Sequence, residues 1–153
     1  MVILRPRNRV NSTMQLPIRI GSVEAAAISV GIEGSGKSRP LTHDLLNTVI
    51  TRLGGRLVNI VINNVEGTTF YAQLKILLPS GDTIAVDSRP SDALALSVRE
   101  HVPIFATQEV LDTAALPDFG GVEADEKREE MARFHEFVEN LDPSDFNPDN
   151  DAT

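Results

Sequence analysis

The chain contains no cysteine and no tryptophan, one tyrosine, and aromatic residues at only 5% of its 153 positions. Without cysteine there can be no disulfide, no thiolate zinc site and no thiol nucleophile. With so few rings the core has to be aliphatic, built from Leu, Ile, Val and Ala. No apolar run approaches the ~20 residues that span a bilayer. Met1-Val-Ile-Leu-Arg-Pro-Arg7 reaches its charges without a signal-peptide apolar region, so the expected location is cytoplasmic.

What is present fits a globular domain, with 41% hydrophobic and 24% charged residues. The net charge of −8 is unevenly distributed. Residues 1–116 carry 11 Lys/Arg against 10 Asp/Glu, a net of +1, while residues 117–153 carry 3 against 12, a net of −9. All the excess acidity is therefore in the C-terminal quarter. That sign weakens non-specific attraction to phosphate backbones and suits a basic partner or docking on the body.

Patterning predicts an α+β domain over residues 1–116, a linker over 117–122, an acidic helix over 123–141 and a disordered tail over 142–153. Val2–Leu4 and Met14–Ile20 read as extended segments. Ser22 is the expected cap of a helix over Val23–Ile32, whose Ala25, Ala26 and Ala27 suit close packing. Thr42 is the expected cap of a second helix carrying Leu45, Leu46, Val49, Ile50 and Leu53 at helical spacing and ended by Gly54 and Gly55. Leu57–Asn63, Thr68–Leu78 and Thr83–Asp87 read as an antiparallel meander. A third helix follows over Ser91–Glu100 with Pro90 in its first turn. Then come a short strand over Pro103–Ala106 and a short helix capped by Thr107. The acidic helix has Met131, Phe134, Val138 and Leu141 on one narrow face.

Three segments could carry chemistry. Gly31-Ile-Glu-Gly-Ser-Gly-Lys-Ser38 has phosphate-loop spacing, but Gly31 falls inside a helix and Arg39-Pro40 cannot open the next one. The segment reads as a loop. In Arg39-Pro-Leu-Thr-His-Asp44, helix capping accounts for Thr42 and Asp44, and the functional reading makes His43 a general base beside Asp44 and Arg39. In Asp87-Ser-Arg-Pro-Ser-Asp92, Asp87 or Ser88 could cap a helix. Equally, clustered carboxylates at a strand-to-helix junction could hold Mg²⁺ or Mn²⁺ and an activated water. His101 reads as a helix end and His135 as part of a solvated helix.

Leu16-Pro-Ile-x-Ile-Gly21 with Glu24-Ala25, Arg39-Pro-Leu-Thr-His-Asp-Leu45 and Asp87-Ser-Arg-Pro-Ser-Asp-Ala-Leu-Ala-Leu96 occur in an order that resembles the bifunctional nuclease family. Phe70-Tyr-Ala72 and Pro103-Ile104 add to the likeness, which covers Val2 to Leu111. The resemblance implies a central mixed, largely antiparallel sheet flanked by helices, homo-oligomeric subunits, and cleavage of DNA and RNA. Carried over residue by residue, it implies His43, Asp44, Asp87 and Asp92 as catalytic residues and Arg39, Arg89, Thr42 and Ser91 as substrate-binding ones. Asp87, Asp92 and Glu24 would be ligands of Mg²⁺ or Mn²⁺. The other reading is a non-catalytic oligomeric binding or regulatory module, in which these acids pair with Arg39 or Arg89. Family members usually carry a further strand ahead of the one at Val2–Leu4 and some append a repair-protein-like helical motif; the acidic helix here does not read as that motif.

Overall fold

The computed structural model describes residues 1–7, 14–34, 39–118 and 130–136. The elements run β1 (Val2–Leu4), β2 (Met14–Ile18), α1 (Ser22–Glu33), α2 (Thr42–Arg52), β3 (Arg56–Glu66), β4 (Thr69–Leu77), β5 (Thr83–Ser88), α3 (Pro90–Glu100), β6 (Ile104–Ala106), α4 (Gln108–Ala114) and β7 (Leu116–Pro117). The fold is α+β, as the patterning implied. Instead of one sheet it has two, of order β1-β2-β7 and β5-β4-β3-β6. Residues 1–7 and 14–116 gather into one compact unit. Of the acidic helix expected over residues 123–141, residues 130–136 are described and are helical, and the remainder lies outside the described residues. Among the described residues no helix is long and apolar enough to cross a membrane.

The larger sheet is the expected β3-β4-β5 meander plus β6, which pairs parallel to β3 through Ile60↔Ile104 and Ile62↔Ala106. β4 follows strict alternation, with Ala72, Leu74 and Ile76 buried on one face. β3 does not, because Leu57 and Ile60 stand an odd number of residues apart and both are buried. A register shift between Leu57 and Asn59 inserts the extra residue that turns both inward. A second shift between Ile62 and Asn64 carries the strand through the two asparagines to Glu66, beyond the end expected at Asn63.

α3 lies on the buried face of β3 and β4 and supplies Ala93, Leu94, Ala95 and Leu96, none more than 2% exposed. Leu16 and Ile18 of β2 and Val110 of α4 complete a core of Leu, Ile, Val and Ala alone, as the scarcity of rings required. Helix starts differ by one residue from the capping expectations. Gly21 and Leu41, and not Ser22 and Thr42, hold the extended cap positions, and Pro90 occupies the first turn of α3 as expected.

Candidate active site

The first turns of three helices converge. Glu24 lies in the first turn of α1, His43 in that of α2 and Asp92 in that of α3, while Arg89 is the residue immediately before α3. Carboxylates are favoured at such positions by the exposed backbone N–H groups and the helix dipole. Here they are also joined to one another. The Asp92 carboxylate accepts Arg89 Nε–H at 2.8 Å on Oδ2 and an Nη2–H at 3.2 Å on Oδ1. Its Oδ1 also lies 3.0 Å from His43 Nε2. Arg89 Nη1 donates to Glu24 Oε1 at 3.2 Å, so one guanidinium ties α1 to α3. The Arg89 hydrogen bonds hold the Asp92 carboxyl below its ordinary range, opposed by burial and assisted by His43. The same pairing pushes the Arg89 guanidinium up.

A charged carboxylate can only accept, so the His43 nitrogen facing it must carry the proton. Nε2–H therefore donates to Asp92, and in the neutral ring Nδ1 keeps its lone pair. The His43 side chain is 17% exposed, whereas Arg89 is 64% exposed. A cleft of about 300 Å³ opens beside the cluster, lined by Arg19, Glu24, Thr68, Thr69, Arg89 and Ser91 among others. Ser91 is buried at its edge.

Asp44 adjoins His43 in sequence but does not join this cluster. Its Oδ2 accepts the Leu41 N–H at 2.8 Å, and its Oδ1 accepts Arg99 Nε–H at 2.7 Å. The Leu41 N–H, and then Arg99, hold its carboxyl below the ordinary range. Arg99, which the motifs did not single out, is 8% exposed and donates as well to the carbonyls of Ala27 at 2.9 Å and Ala95 at 2.7 Å. Asp44 and Arg99 thus clasp α1, α2 and α3, and Asn47 adds a hydrogen bond from α2 to Glu100. A basic residue in the last turn of α3 and a glycine on α1 were the available signals. A Cβ on Gly31 would stand 2.6 Å from Arg99 Nη1 and 2.7 Å from Val98 Cγ2.

Asp87 is also set apart. It pairs with Gln73 on β4, while the next residue, Ser88, pairs with buried Ala72. Strand alternation therefore turns the exposed Asp87 to the sheet face away from α3. There its charge helps Glu66 push the Tyr71 hydroxyl up. Arg39 and Thr42 are exposed at the approach to α2. The three acids expected to bind a divalent ion do not converge. Among the described residues no group of three or more His, Asp or Glu side chains is placed to hold a metal.

A family model described as the bifunctional nuclease domain matches residues 2–118. The chain belongs to that family. It is also 39% identical over 140 residues to two uncharacterized proteins of Mycobacterium tuberculosis, one from strain H37Rv and one from strain CDC 1551, covering 89% of this chain and 83% of each relative. The match spans all three segments that make up the cluster of this bifunctional nuclease family member: Glu24 on α1, His43 on α2, and Arg89 with Asp92 at the start of α3.

Proposed function

We propose that the protein cleaves phosphodiester bonds in DNA and RNA by proton transfer through His43. The observation carrying this reading is the hydrogen bond from His43 Nε2 to an Asp92 carboxylate that Arg89 keeps charged, with Arg89 itself lining an open cleft. Asp92 fixes the ring and its tautomer and stabilises the imidazolium as it forms. Nδ1 takes the proton of an attacking water and delivers it to the leaving oxygen as the P–O bond breaks. Arg89 spends three of its five N–H donors on Asp92 and Glu24, and the other two can meet a phosphate oxygen.

Mg²⁺ or Mn²⁺ does not fit the acids in this arrangement. Asp92 and Glu24 are already bonded to Arg89, and Asp87 lies on the other side of the sheet. No step is therefore assigned to a metal. The test is hydrolysis of fluorescent single-stranded DNA and RNA by wild type and His43→Gln, each with and without EDTA. Expected are cleavage by wild type in both conditions and a loss of roughly 10²- to 10⁴-fold in the variant. Equal rates in the two proteins would remove His43 from the chemistry.

One observation favours a second reading, a non-catalytic binding or regulatory module. Each of Glu24, Asp44 and Asp92 is matched by an arginine, as bracing alone would require. On that reading the partner of the acidic segment 117–153 is a basic surface. No cleavage by well-folded wild type, with binding lost on deletion of 117–153, would establish it.

A further inference from the structure

α1 and α3 run side by side in the same direction. Arg89 and Glu24 join them at their starts, and towards their ends Arg99 meets Ala27 and Val98 crosses Gly31. Two helix N-termini therefore lie together, with their dipoles aligned. The cleft of about 300 Å³ opens at this end, reached by Gly21 and Glu24 from α1 and by Arg89 and Ser91 from α3. The first helical bonds are made by the N–H groups of Ala25 and Ala93, so those of Ser22 to Glu24, and of Ser91 and Asp92, have no acceptor within their helices.

Two polar side chains of the lining are unspent. Ser91 is 6% exposed, and among the described residues its hydroxyl makes no hydrogen bond. The hydroxyls of Ser88 and Thr107 also lack partners but are sealed from solvent, whereas that of Ser91 is not sealed and its residue lines the cleft. Burying a hydroxyl without a partner is costly, and a ligand oxygen in the cleft would remove that cost. Arg19, the residue after β2, lines the same cleft and among the described residues has no carboxylate partner, whereas Arg89 and Arg99 are both paired. Arg19 and Arg89 against Glu24 leave the lining a net charge of +1, which favours an anion. Ile20 and Phe70, both half-buried, add apolar surface to it.

We infer that this cleft seats a single nucleoside monophosphate unit. Its phosphate meets Arg19, the two unspent N–H groups of Arg89 and the Ser91 hydroxyl, and its base lies on Phe70. Ligand pockets run from roughly 300 to 1,000 Å³, and this one, at the small end, suits one nucleotide and not two. The inference rests on the reading of the protein as a phosphodiesterase and deepens it. Arg89 belongs both to the cleft and to the His43–Asp92 cluster, so the nucleotide held here is the one next to the bond that is cut.

Calorimetric titration of the full chain tests this without any cleavage step. The probes are 5′-AMP, 3′-AMP, adenosine and inorganic phosphate. One of the two monophosphates should bind at least roughly tenfold more tightly than adenosine or phosphate alone. Arg19→Ala should weaken that binding by at least roughly tenfold, and Arg52→Ala, an exposed arginine at the end of α2, should leave it unchanged. Ser91→Ala should weaken it too, with thermal stability of the free protein kept or raised, because the hydroxyl has no partner to lose. Binding of neither monophosphate, adenosine or phosphate binding as tightly as the better one, or wild-type affinity in Arg19→Ala overturns the proposal. Nucleotide binding that depends on Arg19 in a protein that cleaves nothing would uphold the cleft and remove the chemistry assigned to His43. Cleavage by a protein that binds neither monophosphate would do the reverse.

Discussion

His43 and Asp44 are consecutive residues that serve different ends, because neighbours on a helix point about 100° apart. His43 turns towards Asp92, and Asp44 turns towards Arg99 and its own helix cap. The sequence made both of them candidates and could not separate them, since only packing decides which neighbour each one meets. The capping explanation weighed for Asp44 from its position alone matches what its carboxylate does. Arg99 was not legible, because a buried arginine reads in sequence like any other basic residue at a helix end. Removing the buried guanidinium leaves the partly exposed Asp44 carboxylate and the Ala27 and Ala95 carbonyls without their donor, so Arg99→Met should lower the urea midpoint while Val23→Ala leaves it unchanged. A pH dependence follows from the same groups. Asp44 and Asp92 are both held below their ordinary value of 3.8 in the folded chain. Below about that pH the unfolded chain binds more protons, so the stability these carboxylates contribute is full above it and is lost as pH falls through their folded values. Urea titrations between pH 2 and pH 7 should therefore show a shallower acid limb in Asp44→Asn than in wild type. Parallel limbs would mean that Asp44 contributes nothing through its charge.

Helices and strands were legible in kind and order, and their ends less so. The strand was expected to end at Asn63, but the register shift beside it lets β3 continue to Glu66, and such shifts leave no periodic trace in a sequence. Gly31 matched a phosphate-loop spacing by coincidence. It sits within α1 where Arg99 and Val98 cross, and the Ala-rich run before it allowed the close approach of α1 to α3. Gly31→Ala sets two effects against each other. Alanine improves helix propensity by about 1 kcal/mol, but overpacking against a clasped arginine costs about 1–3 kcal/mol. The net expectation is a lower melting temperature, and an unchanged or higher one would show that Arg99 can yield. His101 ends α3 as expected, but with φ 54° and ψ 34°, the left-handed conformation usually given to glycine. A side chain there costs about 1 kcal/mol. His101→Gly should therefore raise stability by about that amount in chemical denaturation, and a loss would assign the imidazole a contact of its own.

At the scale of the whole molecule, the aliphatic core and the α+β class were legible because alternation and helical periodicity carry them directly. The split into two sheets and the parallel place of β6 were not, since they depend on long-range pairing. Each of the three ordered segments delivers a member of the cluster to a helix start. What they could not disclose was direction. Asp87 and Asp92 are five residues apart and looked like a pair, yet a strand ending at Ser88 and a helix starting at Pro90 send them to different sides of the sheet. This difference allows a sharp test of proton transfer at the His43–Asp92 pair. Cleavage of single-stranded DNA and RNA should be compared for wild type, Asp92→Asn and Asp87→Asn purified identically, in EDTA. A loss of at least roughly 10²-fold is expected in Asp92→Asn, with wild-type rates in Asp87→Asn. Loss in Asp87→Asn with activity kept in Asp92→Asn, or cleavage that appears only when a divalent metal is restored, would contradict it.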